Sequence, residues 1–201
     1  MNEDLKKYLT IATFIIIPGI GGGLGGIVTS SQIKPWYEKI ERPTWTPPNW
    51  VFGPVWTTLY LLLGISSYLI YKSDQEIATQ EIETQNTEES HCTSFGPKKE
   101  TDRKDSLILF AVNIFLNWIW TPIFFGLHQV AVAFFVIIAL DAVVLYMMML
   151  FFRIKKIAGF MIIPYMTWLT LATCLNISVW SLNGAVPVAN MTMGVNSTRL
   201  L

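Results

Sequence analysis

The sequence predicts an all-α integral membrane bundle of five transmembrane helices, from its composition, the distribution of its charges and the length of its apolar runs. Of its 201 residues, 52% are hydrophobic and 14% are charged, against about 25% charged in soluble domains. Half of the charged side chains fall within residues 72–105. The remainder contains charge-poor blocks of the ~20 residues or more that a membrane helix needs. Since these blocks are apolar on every face, they favour helices over a barrel.

The first predicted helix covers about residues 7–28 and is rich in glycine. Its pairs with small-xxx-small spacing are Gly19/Gly23, Gly21/Gly25 and Gly22/Gly26. Such spacing permits close approach of helices in lipid. It predicts either packing of this helix against its neighbours in the bundle or a face for a homodimer.

Residues 29–45 form an amphipathic connection in which Trp36 and Tyr37 lie among charged side chains. Aromatic side chains at head-group depth typically anchor a protein at the membrane interface. The alternative is that this segment forms a lid over the mouth of the bundle.

The second predicted helix, about residues 46–71, begins with the aromatic and proline-rich segment PTWTPPNWVFGPVW. Prolines remove backbone donors and fix φ, which should hold this entry in one shape. Trp45, Trp50 and Trp56 add flat apolar faces, each with one N–H donor. We interpret the segment as a preformed wall for a flat hydrophobic ligand.

A polar segment at residues 73–105 separates the second and third predicted helices. It is acidic first and basic later, with Ser, Thr, Gln and Asn between, a composition typical of solvated chain without a packed core. We expect a disordered inserted loop with no chemistry of its own. The whole chain, 1–201, is predicted to form a single membrane domain with a tail at 184–201.

The stretch from 106 to 152 is too long for one helix and breaks at Gly126-Leu127-His128-Gln129, which predicts helices at about 106–125 and 129–152. Asp141 is the one acid inside a predicted span, and intramembrane carboxylates are functional candidates. No intramembrane Lys or Arg partners it, so a structural role or a position nearer the interface is an equal alternative to a proton relay.

Helix 106–125 ends in amides and indoles. Asn113 and Asn117 are four residues apart and share a face, where they predict hydrogen bonds between helices or contact with a ligand. Trp118 and Trp120 point about 200° apart, so at most one of them faces a central cavity. Pro122 should loosen the helix near its end.

The fifth predicted helix, about residues 157–182, carries Trp168, Ala172, Leu175 and Asn176 on one face. The small Ala172 beside the bulky Trp168 leaves a recess. A stripe of this kind serves helix packing or lines a ligand site, and both interpretations stay open.

The sequence gives no support for hydrolysis, phosphoryl transfer or metal catalysis. Both histidines lie near predicted loops, and Cys92 and Cys174 fit neither metal-ligand spacing nor a disulfide framework. We therefore predict no metal and no cofactor. The formal net charge of zero argues against a nucleic-acid partner. The remaining chemistry is aromatic, because indoles close to a bound π-system can quench excited states or donate electrons.

Three motifs in order, WYEKIERPTWTPPNWVFGPVWTTLY, LNWIWTPIFFGLHQ and PYMTWLTLATCLN, resemble the translocator protein/tryptophan-rich sensory protein (TSPO) family. The similarity covers about Pro18 to Asn183, with 73–105 as a longer insert than is usual there. It implies a five-helix receptor, transport or sensing protein, often dimeric. Its intrabundle cavity would bind porphyrins such as protoporphyrin IX, sterols and benzodiazepine-type ligands. It also implies the mitochondrial outer membrane for a eukaryotic chain and a bacterial envelope membrane otherwise.

The resemblance also assigns roles to residues. Trp56 and Trp168 fall where bacterial relatives place two indoles needed for light-dependent breakdown of protoporphyrin IX, so they would be catalytic if the chain degrades porphyrin. Phe52, Gly53, Ala172 and Leu175 fall at ligand-lining positions. With the aromatic and amide residues of the motifs, the predicted ligand-binding set is Trp45, Trp50, Phe52, Gly53, Trp56, Tyr60, Asn117, Trp118, Trp168, Ala172 and Leu175.

The sequence departs from the family pattern at three places. Ile177 and Ser181 stand where the sterol-recognition stretch has a Tyr and an Arg, which weakens the expectation of sterol binding. Asp141 lies about five residues after the usual acid and does not inherit its role. Val132 replaces a tryptophan that animal members often have near the cavity.

Overall fold

The computed structural model describes residues 3–85 and 97–184, which contain long helices and no strand. The helices are α1 Glu3–Gln32, α2 Asn49–Gln85, α3 Pro97–Thr121, α4 Val130–Ile154 and α5 Lys156–Asn183. Each contains a stretch long and apolar enough to cross a membrane. The predicted all-α class with five membrane-spanning helices is confirmed.

The helices pack in a ring of order α1–α2–α5–α4–α3, which closes where α3 contacts α1. Because successive helices run in opposite directions, α1, α3 and α5 end on the side where α2 and α4 begin. On that side the amide of Asn183, at the end of α5, donates to the Glu41 carbonyl oxygen (2.9 Å) and accepts from the Glu41 N–H (3.0 Å). We call this end of the bundle, with the connection between α1 and α2, the mouth.

The glycines of α1 divide between two faces. An added Cβ would lie 1.5 Å from Trp118, 2.5 Å from Tyr60 and 3.2 Å from Thr121 at Gly21, Gly22 and Gly25, respectively. These three glycines therefore allow α1 to lie against α2 and α3. An added Cβ would meet nothing within 4 Å at Gly19, Gly23 and Gly26. The sequence interpretation of helix packing is correct for the first set, and the second set faces outward.

The segment predicted to be a disordered loop, 73–105, is largely helical where the structure describes it. α2 continues to Gln85 and α3 begins at Pro97. Residues 86–96 lie outside the described residues, as does the predicted tail after 184. Glu, Gln, Ala and Lys are strong helix formers, and Glu100 and Lys104 form an i,i+4 ion pair at 2.6 Å. In the described part of this segment, the charged residues therefore continue α2 and α3 as helix.

Two helices widen into a single π-helical turn at the mouth, at Ile33–Tyr37 after α1 and at Pro122–Gly126 after α3. Pro122 has no N–H to donate, so the helical ladder is interrupted there. The predicted loosening at Pro122 is confirmed. The chain then reverses at Leu127–Gln129, as the predicted break requires, and His128 adopts a left-handed φ of 56°.

Candidate functional site

A buried polar network joins α2, α3 and α5 inside the bundle. The Tyr60 hydroxyl donates to Asn117 Oδ1 at 2.7 Å, and Asn117 Nδ2 donates to the Tyr165 hydroxyl at 2.7 Å. Asn113 Nδ2 donates to the same hydroxyl at 3.1 Å. All four side chains are buried. Because amides left unpaired in an apolar interior are unfavourable, this network fixes the relative positions of the three helices.

Aromatic rings of α2 and α5 lie on the mouth side of this network. The Trp56 ring is 5.4 Å from the Tyr60 ring and 6.2 Å from the Tyr165 ring, between centroids. Phe52, one turn nearer the mouth, meets Trp168 edge to face at 5.5 Å. Trp56 and Trp168 therefore both lie where α2 packs against α5, and each has another aromatic ring as a neighbour.

Several buried polar groups near the mouth have no hydrogen-bond partner. In the described part of the chain these include the indole N–H groups of Trp36, Trp120 and Trp168. Asn176 Oδ1 is also unpaired, although Asn176 Nδ2 donates to the Val130 carbonyl oxygen at 3.3 Å. A buried donor without an acceptor costs about 1–3 kcal/mol. The indole N–H groups could donate hydrogen bonds to a ligand that carries acceptors.

A second aromatic cluster, the mouth cluster, consists of Trp36, Tyr37, Phe124 and the partly buried Trp120. Trp120 stacks on Phe124 at 5.0 Å, and Trp36 meets Phe124 edge to face at 5.6 Å. Trp36 and Tyr37 are only 5% and 7% exposed, so they are packed inward rather than spread at the membrane surface. The arrangement favours the lid interpretation of the connection between α1 and α2.

His128 links the turn between α3 and α4 to the end of α1. Its ring stacks on Trp36 at 4.3 Å, and its Nε2 lies 3.3 Å from Gln32 Oε1. Burial lowers the pKa of His128 from the usual 6.5, and a hydrogen bond with the Phe125 backbone partly opposes this effect. Burial therefore favours the neutral imidazole, which packs as an aromatic ring against Trp36.

The structure places about half of the predicted ligand-binding residues together. Those that pack in or against the interior core are Phe52 (through Trp168), Trp56, Tyr60, Asn117, Trp168 and Ala172. Leu175 is buried one turn further along α5.

The other predicted ligand-binding residues lie elsewhere. Trp45, in the loop before α2, is 49% exposed, and Trp50, at the start of α2, is 75% exposed. Gly53 lies on an open surface of the same helix. The Trp118 indole lies against Gly21 of α1 and is partly exposed, so it packs between helices.

Two residues of this interior are absent from the predicted ligand-binding set. Tyr165 is the acceptor shared by both asparagines, and its position three residues before Trp168 places it on the same face of α5. Trp120 joins both aromatic clusters. The opposed directions of Trp118 and Trp120 showed that one of them faces inward, but only the position of α1 shows which one.

Asp141 links α4 to α5. Its Oδ2 accepts a hydrogen bond from Thr173 Oγ1 at 2.7 Å, while Oδ1 is buried without a partner. Within residues 3–85 and 97–184, no group of three His, Cys, Asp or Glu side chains is close enough to hold a metal ion. The contact with Thr173 gives Asp141 a role between two helices.

Comparison with known proteins places this geometry in a family. The model of the TspO/MBR family matches residues 14–181. The chain is 32% identical to protein CrtK of Rhodobacter capsulatus over 180 residues, which cover 88% of this chain and 95% of that protein. It is 31% identical to the translocator protein of Bos taurus over 170 residues, 85% of this chain and 88% of that protein.

A third relative extends the similarity over nearly the whole sequence. The tryptophan-rich sensory protein of Cereibacter sphaeroides is 30% identical over 191 residues, which cover 94% of this chain and 99% of that protein. The family match spans all five helices, including Trp56, Tyr165 and Trp168. The chain therefore belongs to the TspO/MBR family of integral membrane proteins.

Proposed function

We propose that this protein binds a flat aromatic lipophile with hydrogen-bond acceptors, of the porphyrin class, between α2, α3 and α5. It would act as a membrane receptor, transport or sensing protein for such molecules. The observation that carries the proposal is the pair of buried, unpartnered indole N–H groups of Trp120 and Trp168, which lie beside the rings of Phe124 (stacked) and Phe52 (edge to face). A tetrapyrrole offers both a flat face for ring packing and acceptor atoms for these donors.

The network of Tyr60, Asn117 and Tyr165 supports the same proposal. The network lies next to the Trp56 ring, on the side away from the mouth, and its hydrogen bonds are made within the protein. The unpaired indole N–H groups of Trp120 and Trp168 lie on the mouth side of this network, next to the aromatic rings. A ligand entering from the mouth would meet the indole donors before it meets the network.

Protoporphyrin IX binding to purified protein in detergent tests this proposal through the change in the porphyrin absorption spectrum. Trp168→Phe keeps an aromatic ring and removes the N–H, so affinity should fall about two- to tenfold, since one hydrogen bond contributes ~0.5–1.5 kcal/mol. Trp168→Ala should weaken binding further. Unchanged affinity in a folded double variant, Trp56→Ala with Trp168→Ala, would exclude this site.

Trp180→Phe is the matched control in the same helix. The Trp180 ring contacts Phe134 and Phe135 of α4, at 5.6 and 6.2 Å. Its substitution removes one indole from α5 without touching the aromatic rings around Trp56. We expect porphyrin affinity equal to that of the wild type.

A light-dependent porphyrin-degrading enzyme is the second candidate function. It is supported by the short ring-to-ring distances from Trp56 to Tyr60 and Tyr165, which suit electron donation to an excited porphyrin. Illumination of the complex in air, followed by absorption spectroscopy, separates the two functions. If the wild type bleaches the porphyrin band in light and both Trp56→Phe and Trp168→Phe abolish this bleaching, the enzyme is supported. Equal bleaching with and without protein would support binding alone.

Sterol should be a weaker ligand than porphyrin. Ile177 is 45% exposed and Ser181 is exposed on α5, and neither offers the phenol or the cation of the family's sterol-recognition stretch.

The homodimer face that we propose for α1 consists of the outward glycines Gly19, Gly23 and Gly26. Because glycine has no side chain, this face permits close approach of a second copy. Leucine at Gly23 should then lower the dimer fraction measured by cross-linking in membranes, whereas leucine at exposed Ile16 should leave it unchanged.

A further inference from the structure

Asp141 carries the one carboxyl group in the long apolar runs of the sequence. It follows Val130 by eleven residues and precedes Ile154 by thirteen, which is about 16 and 20 Å along the helix. Asp141 therefore lies near the middle of the membrane, where an ionisable side chain is a functional candidate. Apart from it, no Asp, Glu, Lys or Arg occurs in residues 8–33, 43–71, 106–152 and 157–183.

The two carboxyl oxygens of Asp141 have different surroundings. Oδ2 accepts a hydrogen bond from Thr173 Oγ1 at 2.7 Å, whereas Oδ1 is buried and has no hydrogen-bond partner among the residues that the structure describes. An ionised carboxylate would place negative charge on an oxygen that neither a donor nor solvent stabilises, which is far less favourable than burial of a neutral group. A hydrogen on Oδ1 removes that charge and leaves Oδ2 as the acceptor for Thr173.

The helices packed against α4 supply no positive charge at this depth. α4 contacts α5, α3 and α2. The buried titratable side chains of these helices are two phenols, Tyr165 of α5 and Tyr60 of α2, and both hydrogen-bond to asparagines of α3. Cys174 of α5 is exposed, and the described part of α3 has no titratable side chain after Asp105. An ionised Asp141 would therefore have no cation to pair with.

Asp141 lies where the buried face of α4 meets its outer face. Ile137 and Val144 are buried, whereas Ile138 and Leu145 are 44% and 45% exposed. The Asp141 side chain lies between these two groups and is itself partly exposed. A small apolar molecule dissolved in the lipid can therefore reach the edge of this side chain from outside the bundle.

We propose that Asp141 is a proton-binding site inside the membrane, in which the carboxyl group carries a hydrogen on Oδ1 and the Thr173 hydroxyl holds Oδ2. The ligand of this site is a proton, and its release would create a negative charge in the contact between α4 and α5. The site is separate from the aromatic interior between α2 and α5, and the inference does not depend on the proposed function.

Dicyclohexylcarbodiimide, an apolar reagent, tests the proposal because it reacts with protonated carboxyl groups. The Oδ1 proton passes to one nitrogen of the carbodiimide, and a carboxyl oxygen bonds to its central carbon. The acyl group then moves from that oxygen to a nitrogen, and a stable acylurea forms with no leaving group. We expect peptide mass spectrometry to find Asp141 modified at about pH 7 in neutral detergent, about tenfold or more faster than Glu38, which is exposed at the mouth.

Asp141→Asn keeps the shape of the side chain and an acceptor for Thr173, and it removes the acid. It should abolish the modification in α4. The infrared difference between the wild type and this variant at about pH 7 should contain the carbonyl stretch of a protonated carboxyl group. Asp141→Glu should keep both signals, because it restores the acid.

Thr173→Val tests the hydroxyl that holds Oδ2. A donated hydrogen bond favours the charged form of a carboxyl group over the neutral form. Without it, the curve of modification against pH should move to higher pH by about half to one unit. Thr170→Val is the matched control, since the Thr170 hydroxyl donates to the Met166 carbonyl oxygen within α5, at 2.9 Å. It should leave the curve unchanged.

Several outcomes would overturn the proposal. One is a wild-type protein without a modified peptide in α4, and another is a modification of Asp141 that is already lost above about pH 5. An infrared difference without the protonated carbonyl band would do the same. Equal rates with the apolar reagent and with a water-soluble carbodiimide would place the carboxyl group in water. If Asp141→Asn does not fold, the peptide map of the wild type and its pH dependence decide the question alone.

Discussion

Removal of one hydroxyl from the centre of the bundle should measurably destabilise the fold. Tyr165→Phe deletes the atom that accepts from Asn117 Nδ2 at 2.7 Å and from Asn113 Nδ2 at 3.1 Å. The ring itself is fully buried and remains in place, so packing is conserved. The change therefore isolates the hydrogen bonds from the volume of the side chain.

The expected loss is about 1–3 kcal/mol of unfolding free energy. Each of the two amides would keep its burial and lose an acceptor, and an unpaired buried donor costs about 1–3 kcal/mol. Hydrogen bonds between membrane helices measure less, ~0.6 kcal/mol on average and at most ~1.7. The loss of two bonds of this strength would lower the unfolding free energy by about 1–3 kcal/mol, in agreement with the expected loss.

Unfolding of the purified protein by added SDS, followed by circular dichroism, gives the free energy. Tyr146→Phe on α4 is the matched control because its ring is 47% exposed, and it should change the free energy by less than about 0.5 kcal/mol. A Tyr165→Phe protein as stable as the Tyr146→Phe protein would refute the reasoning that this network holds α3 to α5.

Two further predictions concern helix contact and pH. Gly64→Ala should lower the unfolding free energy by about 1–3 kcal/mol in the same assay, since the new Cβ would lie 2.6 Å from the Phe14 carbonyl oxygen. Gly53→Ala is the control, because its Cβ would meet nothing within 4 Å. It should leave the unfolding free energy unchanged or slightly raised. For His128, the lowered pKa means that the unfolded chain binds the proton more readily. Its contribution to stability is present above the ordinary imidazole pKa and is lost as the pH falls below about 6.5. His128→Asn, which tolerates the left-handed φ, should reduce the loss of stability between about pH 7.5 and 5.5; an unchanged pH profile would contradict the assignment to His128.

The helices could be predicted from the sequence because apolar length is a strong local signal. The turn at Leu127–Gln129 was also predictable, since Gly126 and the polar His128 and Gln129 interrupt an otherwise apolar run. The ends of α2 and α3 were not, because charge content measures distance from the apolar layer rather than loss of helix. The segment up to Gln85 and from Pro97 combines many charges with high helix propensity.

The inward-facing residues of the site were predicted where two sequence signals coincided. Trp168 and Ala172 share a face of α5, and Trp56 follows the proline-rich start of α2. The choice between Trp118 and Trp120 needed the position of a third helix. The glycines of α1 determine it, since Gly21 leaves the space that the Trp118 ring occupies, and Trp120 then faces the mouth cluster.

The tryptophans around the mouth differ in exposure from what their neighbours in the sequence suggest. Trp45 and Trp50 lie in an apolar segment, which predicts ligand contact, yet their rings are exposed as the rings of interfacial anchors are. Trp36 lies among charged residues, which predicts an anchor, yet it is buried against Phe124. The π-helical turn at Ile33–Tyr37 explains the second result, because its altered period turns Trp36 inward. Neighbouring charges thus report where the backbone meets water, whereas the local helical period decides which indole is buried in the bundle.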